Sequence, residues 1–199
     1  MSMMQPDSES LIDAYVRGVF AANQEGAHTY DHTRRVYRIA LEIGRALGAN
    51  LRVLGAAALL HDIGRMKEKE LGISHAVLSG QMGREALKRA GYTDEEVEEI
   101  VEAIRTHRFS EGLVPTTLEG KILSDADKLD AIGAIGVYRA IAQSVVNSRG
   151  PEGFLKHADE KLLRLKDLMF TEPARELAQE RHRLLSAFVE QLRQEISEA

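Results

Sequence analysis

The stretch Val53-Leu54-Gly55-Ala56-Ala57-Ala58-Leu59-Leu60-His61-Asp62-Ile63-Gly64 decides how the rest of the chain is read. From Val53 to Leu60 no side chain is polar. A helix that is apolar nearly all round belongs at the centre of a fold. Yet it ends in an imidazole next to a carboxylate, and burying either group unpaired costs on the order of several kcal/mol or forces it to neutralise. His61 and Asp62 therefore need partners from elsewhere in the chain. On an ideal helix neighbours point about 100° apart. Both can reach one partner only at the helix end, where Gly64 is expected to loosen the backbone.

Outward from this stretch, nearly every segment repeats its apolar residues at the helical period, and none alternates as a strand does. A helix over SESLIDAYVRGVFAANQ places Leu11, Tyr15 and Val19 on one face, with Ser8 or Ser10 as cap. A second runs from about Tyr30 to Leu47 with Val36, Ile39, Ala40, Ile43 and Leu47 as its stripe, stopped by Gly48. The central helix covers about 51–62, and another covers 74–90 before Gly91. Thr93 and Glu96 form a capping box that opens a helix to about His107. Thr117 caps a helix expected to continue through DADKLDAIGAIGVYRAIAQSVV. A Gly/Pro break, SRGPEG, precedes a charged pair at roughly 154–168 and 173–196. The reading is all-α: one compact multi-helix bundle over residues 1–199, its motif-bearing core at about 28–140 and its C-terminal helices, about 150–199, packing on that core.

Composition narrows the chemistry. The 199 residues are 44% hydrophobic and 29% charged with only 4 Pro, which fits a globular chain rather than a disordered one. A net charge of −5 argues against a general nucleic-acid surface. The absence of Cys excludes disulfides, thiolate metal sites and Cys nucleophiles, and fits a reducing cytoplasm. No apolar run reaches the length of a membrane span, and the N-terminal residues show no signal-peptide pattern.

Four of the seven His lie at ends or inner turns of the expected helices: His32, His61, His75 and His107. Asp125, Asp127 and Asp130 share a later helix. Polar side chains brought to one end of several apolar helices converge in a bundle interior, where helical proteins build metal sites. Imidazole and carboxylate together suit a borderline or hard divalent ion and leave positions for water and a substrate oxygen.

The ordered set of His32, His61-Asp62 followed by Ile63-Gly64, and Asp127 within DADKLDAIG resembles the HD-domain superfamily of metal-dependent phosphohydrolases. Its members include small stand-alone hydrolases of the HDIG type. The separations are 29 residues from His32 to His61 and 65 from Asp62 to Asp127. The resemblance implies His32, His61, Asp62 and Asp127 as ligands of a divalent ion (Mn, Mg, Co, Ni or Fe), with one or two ions per site. SHAVLSGQMGREAL and AIRTHRF resemble the family segments that supply further ligands, so His75 and His107 hold a second ion, or bind substrate phosphate or donate protons beside a single ion, or merely cap their helices. Asp130, one turn after Asp127, is a candidate to orient a ligand or a water. Arg35, Arg65 and Lys128 are candidate phosphate contacts. Glu68 and Glu70 are candidate bases inside a charge run of the usually solvated kind.

The Gly-Tyr-Pro signature of the cyclic-dinucleotide branch is missing after His107, and the Glu-Asp pair of the alarmone branch is replaced by Gly64-Arg65-Met66. The implied activity is hydrolysis of a phosphate ester or anhydride, most simply a nucleoside mono- or triphosphate, with no membrane and no general nucleic-acid partner. A di-iron oxygenase on the same scaffold and a non-catalytic helical module are the alternatives. The stripe Leu177, Leu184, Leu185, Phe188 and Leu192 fits either the chain's own core or a homodimer with a second copy.

Overall fold

The computed structural model describes residues 7–21, 29–108 and 111–198. Among these the chain is all-α, with no strand. It divides into two compact units, residues 1–124 and 125–199, and the division falls inside one helix.

In the first unit, α1 (Ser8–Ala21), α2 (Tyr30–Leu47), α3 (Leu51–Leu60), α4 (Arg65–Leu71), α5 (His75–Arg89) and α6 (Asp94–Thr106) are followed by the start of α7 (Leu118–Asp130). The apolar run forms α3, buried from Val53 to Leu60, with α1, α2, α5 and α6 packed against it. Burying a Leu or Val side chain contributes roughly 1.5–3 kcal/mol, so α3 anchors this unit. Asn50 starts it by accepting from the N–H groups of Arg52 and Val53 at 3.2 and 3.4 Å. Gly48, at φ 69°, closes α2 in the left-handed conformation that glycine adopts without strain. Both halves of the Thr93–Glu96 capping box form at the start of α6.

Three expectations change. The buried face of α1 is Ile12, Val16 and Phe20, while Leu11 is 40% exposed. Two adjacent apolar stripes run along this helix, and its packing partner selects between them. Its first turn is capped by Asp7, whose carboxylate accepts from the Ser10 N–H at 2.8 Å. The charge run after Gly64, for which no helix was expected, forms α4 and stays largely exposed as expected, with none of its residues buried. The long helix expected after Thr117 is two, α7 and α8 (Gly133–Val146), bent by 69° at a break where Gly133 takes φ 72°.

The second unit holds the rest of α7, then α8, α9 (Pro151–Glu160), a 3-10 helix (Leu162–Leu168) and α10 (Glu172–Glu198). Here α10 packs on α8, α9 and the 3-10 helix. Its buried face is Ala174, Ala178, Leu185 and Val189, leaving Leu184 48% exposed. No single helix among the described residues is long and apolar enough to cross a membrane.

Candidate metal centre

The regular part of α3 ends at Leu60, and residues 61–64 form a turn. His61 still has helical backbone angles, φ −56° and ψ −33°. Its Nδ1 lies 2.8 Å from the carbonyl of Ala58. A carbonyl only accepts, so Nδ1 carries the proton and Nε2 of the neutral ring carries a lone pair. His107 repeats the device at the end of α6, with Nδ1 2.5 Å from the carbonyl of Ile104. Two core helices thus end in the same way, each with a histidine locked by the carbonyl three residues back.

His75 opens α5, next to its cap Ser74. Its Nδ1 lies 3.1 Å from Oε2 of Glu68 on α4, and its backbone N–H donates to Oε1 of the same carboxylate at 3.3 Å. The short α4 therefore brings Glu68 back over the start of α5. Burial pushes the Glu68 carboxyl up, but His75 and the Arg108 guanidinium outweigh burial and hold it below the usual glutamate range. Arg108 also donates to Glu68 Oε1 and, at 3.0 Å, to Glu111.

The ε-nitrogens face inward. His32 Nε2 lies 3.3 Å from His61 Nε2 and 3.5 Å from Asp62 Oδ2. His61 Nε2 is 3.7 Å from Asp62 Oδ2, and His75 Nε2 is 3.1 Å from Asp62 Oδ1. The His61, Asp62 and His107 donor atoms lie within 4.8 Å of one another. All five side chains are at most 2% exposed. His75 Nε2 makes no hydrogen bond despite its closeness to Asp62. Two lone-pair atoms held face to face in a dry interior repel each other unless a cation stands between them.

The donor set is nitrogen and oxygen without sulfur, which suits a divalent ion of the Mn, Fe, Co, Ni or Zn series. Metal-bound histidines nearly always donate their other N–H to a carbonyl or carboxylate, as His61, His75 and His107 do here. The residues therefore fit a divalent metal.

Gly64 plays a different part from the one its sequence suggests. Its φ of −83° and ψ of −7° are open to any residue. Instead, α5 lies so close that a Cβ on Gly64 would sit 2.6 Å from the Ser79 nitrogen and 2.7 Å from the His75 carbonyl oxygen. The Gly64 N–H donates to Ser79 Oγ at 2.9 Å, which ties the turn carrying Asp62 to the helix carrying His75.

Arg65 places its buried Nε 3.5 Å from Asp62 Oδ1 and its Nη1 3.6 Å from Glu68. Arg35 lies partly exposed on α2, one turn after His32. In the second unit Asp127 is partly buried near the end of α7. Asp130 accepts from Arg139 Nη1 at 2.8 Å. Lys128 is only 4% exposed, with Nζ 3.8 Å from Asp125 and 4.6 Å from the Phe170 ring. Burial pushes its ammonium below the usual lysine range against the pull of Asp125 and Asp127. Asp125 itself holds the segment leading into α10, accepting from Phe170 N, Thr171 N and Thr171 Oγ1, each at 2.8 Å.

The sequence did not single out Arg108, and it offered Glu68 only as a candidate base within a charge run, not as a partner of His75. The available signal was the spacing from Glu68 to His75 across the Gly72 stop, which only a folded α4 converts into contact.

Comparison with known proteins adds family to geometry. The HD domain model matches residues 29–132. YpgQ of Bacillus subtilis is 34% identical over 193 residues, which cover 93% of this chain and 92% of that protein. A tRNA (cytidine(56)-2'-O)-methyltransferase of Thermoplasma volcanium is 31% identical over 179 residues. That alignment takes in 83% of this chain and 47% of the methyltransferase, so this chain spans about half that relative's length. The crystal structure of YpgQ in complex with ADP superposes with a TM-score of 0.78 at 30% identity, over 94% of this chain and 97% of that one. A "predicted HD superfamily hydrolase" from an uncultured Thermotogales bacterium superposes with a TM-score of 0.70 at 34% identity, over 92% and 90% of the two chains. With a family match over more than half its length and a relative aligned nearly end to end, the chain belongs to the HD-domain family.

Proposed function

We propose that this protein is a divalent-metal-dependent phosphohydrolase acting on a nucleotide, at a phosphate ester or anhydride bond. The observation that supports it is the convergence of His32, His61 and His75 through their ε-nitrogens on the buried Asp62, beside His107. In three of these rings Nδ1 is already committed to a protein acceptor. The HD-superfamily hydrolase fold supports metal-dependent phosphohydrolysis in general. That YpgQ has been seen with ADP supports a nucleotide as the ligand.

Bound at this cluster, a divalent ion supplies Lewis acidity toward water and toward a phosphoryl oxygen. In this reading His32, His61 and Asp62 hold it, and Asp127 joins them by the family motif. His75, at the other oxygen of Asp62, and His107, beside His61 and Asp62, extend the donor set. Arg65, Arg35 and Lys128 contact phosphate, with the arginines suited to bidentate hydrogen bonds and the lysine acting as a point charge. Developing charge on the transferring phosphoryl group is then met by preorganised cations.

The test is metal content of protein purified without chelator, together with phosphate or pyrophosphate release from a nucleotide panel with Mn²⁺, Mg²⁺, Co²⁺ or Ni²⁺. Wild type should turn over, while Asp62→Ala and Asp127→Ala should lose activity and metal together. A fully active Asp62→Ala protein overturns the assignment. Two bound irons with oxygen consumption would replace it with the oxygenase reading.

A further inference from the structure

We propose that Glu68 is a positioning residue: it fixes the tautomer of His75 and thereby keeps Nε2 available to a metal ion beside Asp62. The inference rests on the metal-site reading above and extends it to a residue outside the ligand set.

His61 and His107 are locked by carbonyls of their own helices, which no side-chain substitution removes. His75 sits at the first residue of α5, where the chain offers no helical carbonyl three residues back. Its ring is instead held by a side chain seven residues earlier, on α4. Glu68 accepts from three donors: the His75 N–H, the His75 Nδ1–H and an Arg108 guanidinium N–H. Each oxygen is thus committed, and an ionised carboxylate has nothing to donate back. A metal takes the neutral ring; with its one proton drawn to Nδ1, that ring keeps a lone pair on Nε2, which lies 3.1 Å from Asp62 Oδ1. If the proton moved to Nε2, it would bond to Asp62 directly and occupy the space of an ion. Glu68 stands between these two arrangements.

Glu68→Gln tests this at constant volume. The amide has one oxygen, and it cannot accept along both edges. Keeping that oxygen on Arg108 and the His75 N–H satisfies two donors, and it turns the NH₂ toward Nδ1. Nδ1 must then accept, and the proton shifts to Nε2. Two readouts follow. In metal-free protein, ¹⁵N chemical shifts of the His75 ring should change from the Nδ1–H to the Nε2–H pattern. In a Mn²⁺ titration followed by electron paramagnetic resonance, affinity at the site should fall about 10–100-fold, the usual effect of removing a partner behind a metal-bound histidine. Glu68→Ala, which removes the acceptor without offering a donor, should leave both tautomers populated and weaken Mn²⁺ less than Glu68→Gln does. If wild type binds Mn²⁺ and Glu68→Gln leaves either the tautomer or the affinity unchanged, Glu68 has no such role. If wild type binds no divalent ion, the metal-site reading fails, and this inference fails with it.

Discussion

Replacing Gly64 by Ala probes the contact on which the centre is built. The added Cβ would meet Leu78 Cβ and Ser79 N at 2.6 Å and His75 O at 2.7 Å. These distances lie 0.7–0.8 Å inside the 3.4 Å at which ordinary contact begins. Two of the three atoms are backbone, so no rotamer change relieves the clash, and α5 must move as a body. Overpacking of a dense interior costs about 1–3 kcal/mol. With backbone on two sides we expect the upper end, about 3 kcal/mol. For a chain of this size that lowers Tm by roughly 6–12 °C. The displaced atoms include the carbonyl of His75, so the 3.1 Å approach of its ring to Asp62 is lost as well, and Mn²⁺ affinity falls with stability. Gly83→Ala is the control, on the same α5. There the nearest atom is the movable Leu60 Cδ1 at 3.2 Å, and the gain in helix propensity, about 1 kcal/mol, offsets the crowding. Urea unfolding of the metal-free proteins measures both. A Gly64→Ala protein within about 0.5 kcal/mol of wild type would refute the steric account of this glycine.

Three further outcomes are expected. Asp125→Ala removes an acceptor of three hydrogen bonds at the start of α10 and should destabilise by about 3 kcal/mol, read by urea unfolding. Lys128→Met should change stability by less than about 1 kcal/mol, because burial already disfavours the ammonium and Asp125 keeps its own partners. If Lys128 contacts phosphate, the same variant loses turnover, so assay and melting curve separate the two roles. His157 is held below its ordinary value by burial, with Lys161 and Arg149 adding to the effect. The unfolded chain therefore takes up a proton there first, and stability should fall as pH drops below about 6.5 toward the lower folded value. His157→Gln should flatten that slope in pH-dependent urea midpoints; an unchanged slope would show that other groups cause it.

The composition and periodicity of this chain determine its class and most of its helices. Apolar residues at a 3.6 period leave an α-helix as the structure that buries them, so α2, α3, α5 and α6 fall close to where the pattern puts them. The His61-Asp62 pair is legible for a related reason: it ends a helix buried on all sides, so something must meet it inside, whereas His32 opens the amphipathic α2 and is legible only through the family motif. What the pattern leaves open is any choice between near-equivalent local options. The apolar stripes Leu11-Tyr15-Val19 and Ile12-Val16-Phe20 on α1 are one such choice, and the α3 surface decides it. Whether the chain runs straight or bends at Ala131-Ile132-Gly133 is another, and so is whether the exposed run Lys67-Glu68-Lys69-Glu70 is helical. Tertiary contact also gives Gly64 its meaning: its backbone angles are ordinary, and only the approach of α5 forbids a side chain. The tautomer of His75 belongs to the same class, because a ring proton goes where an acceptor waits, and Glu68 reaches it only after α4 has folded back over α5.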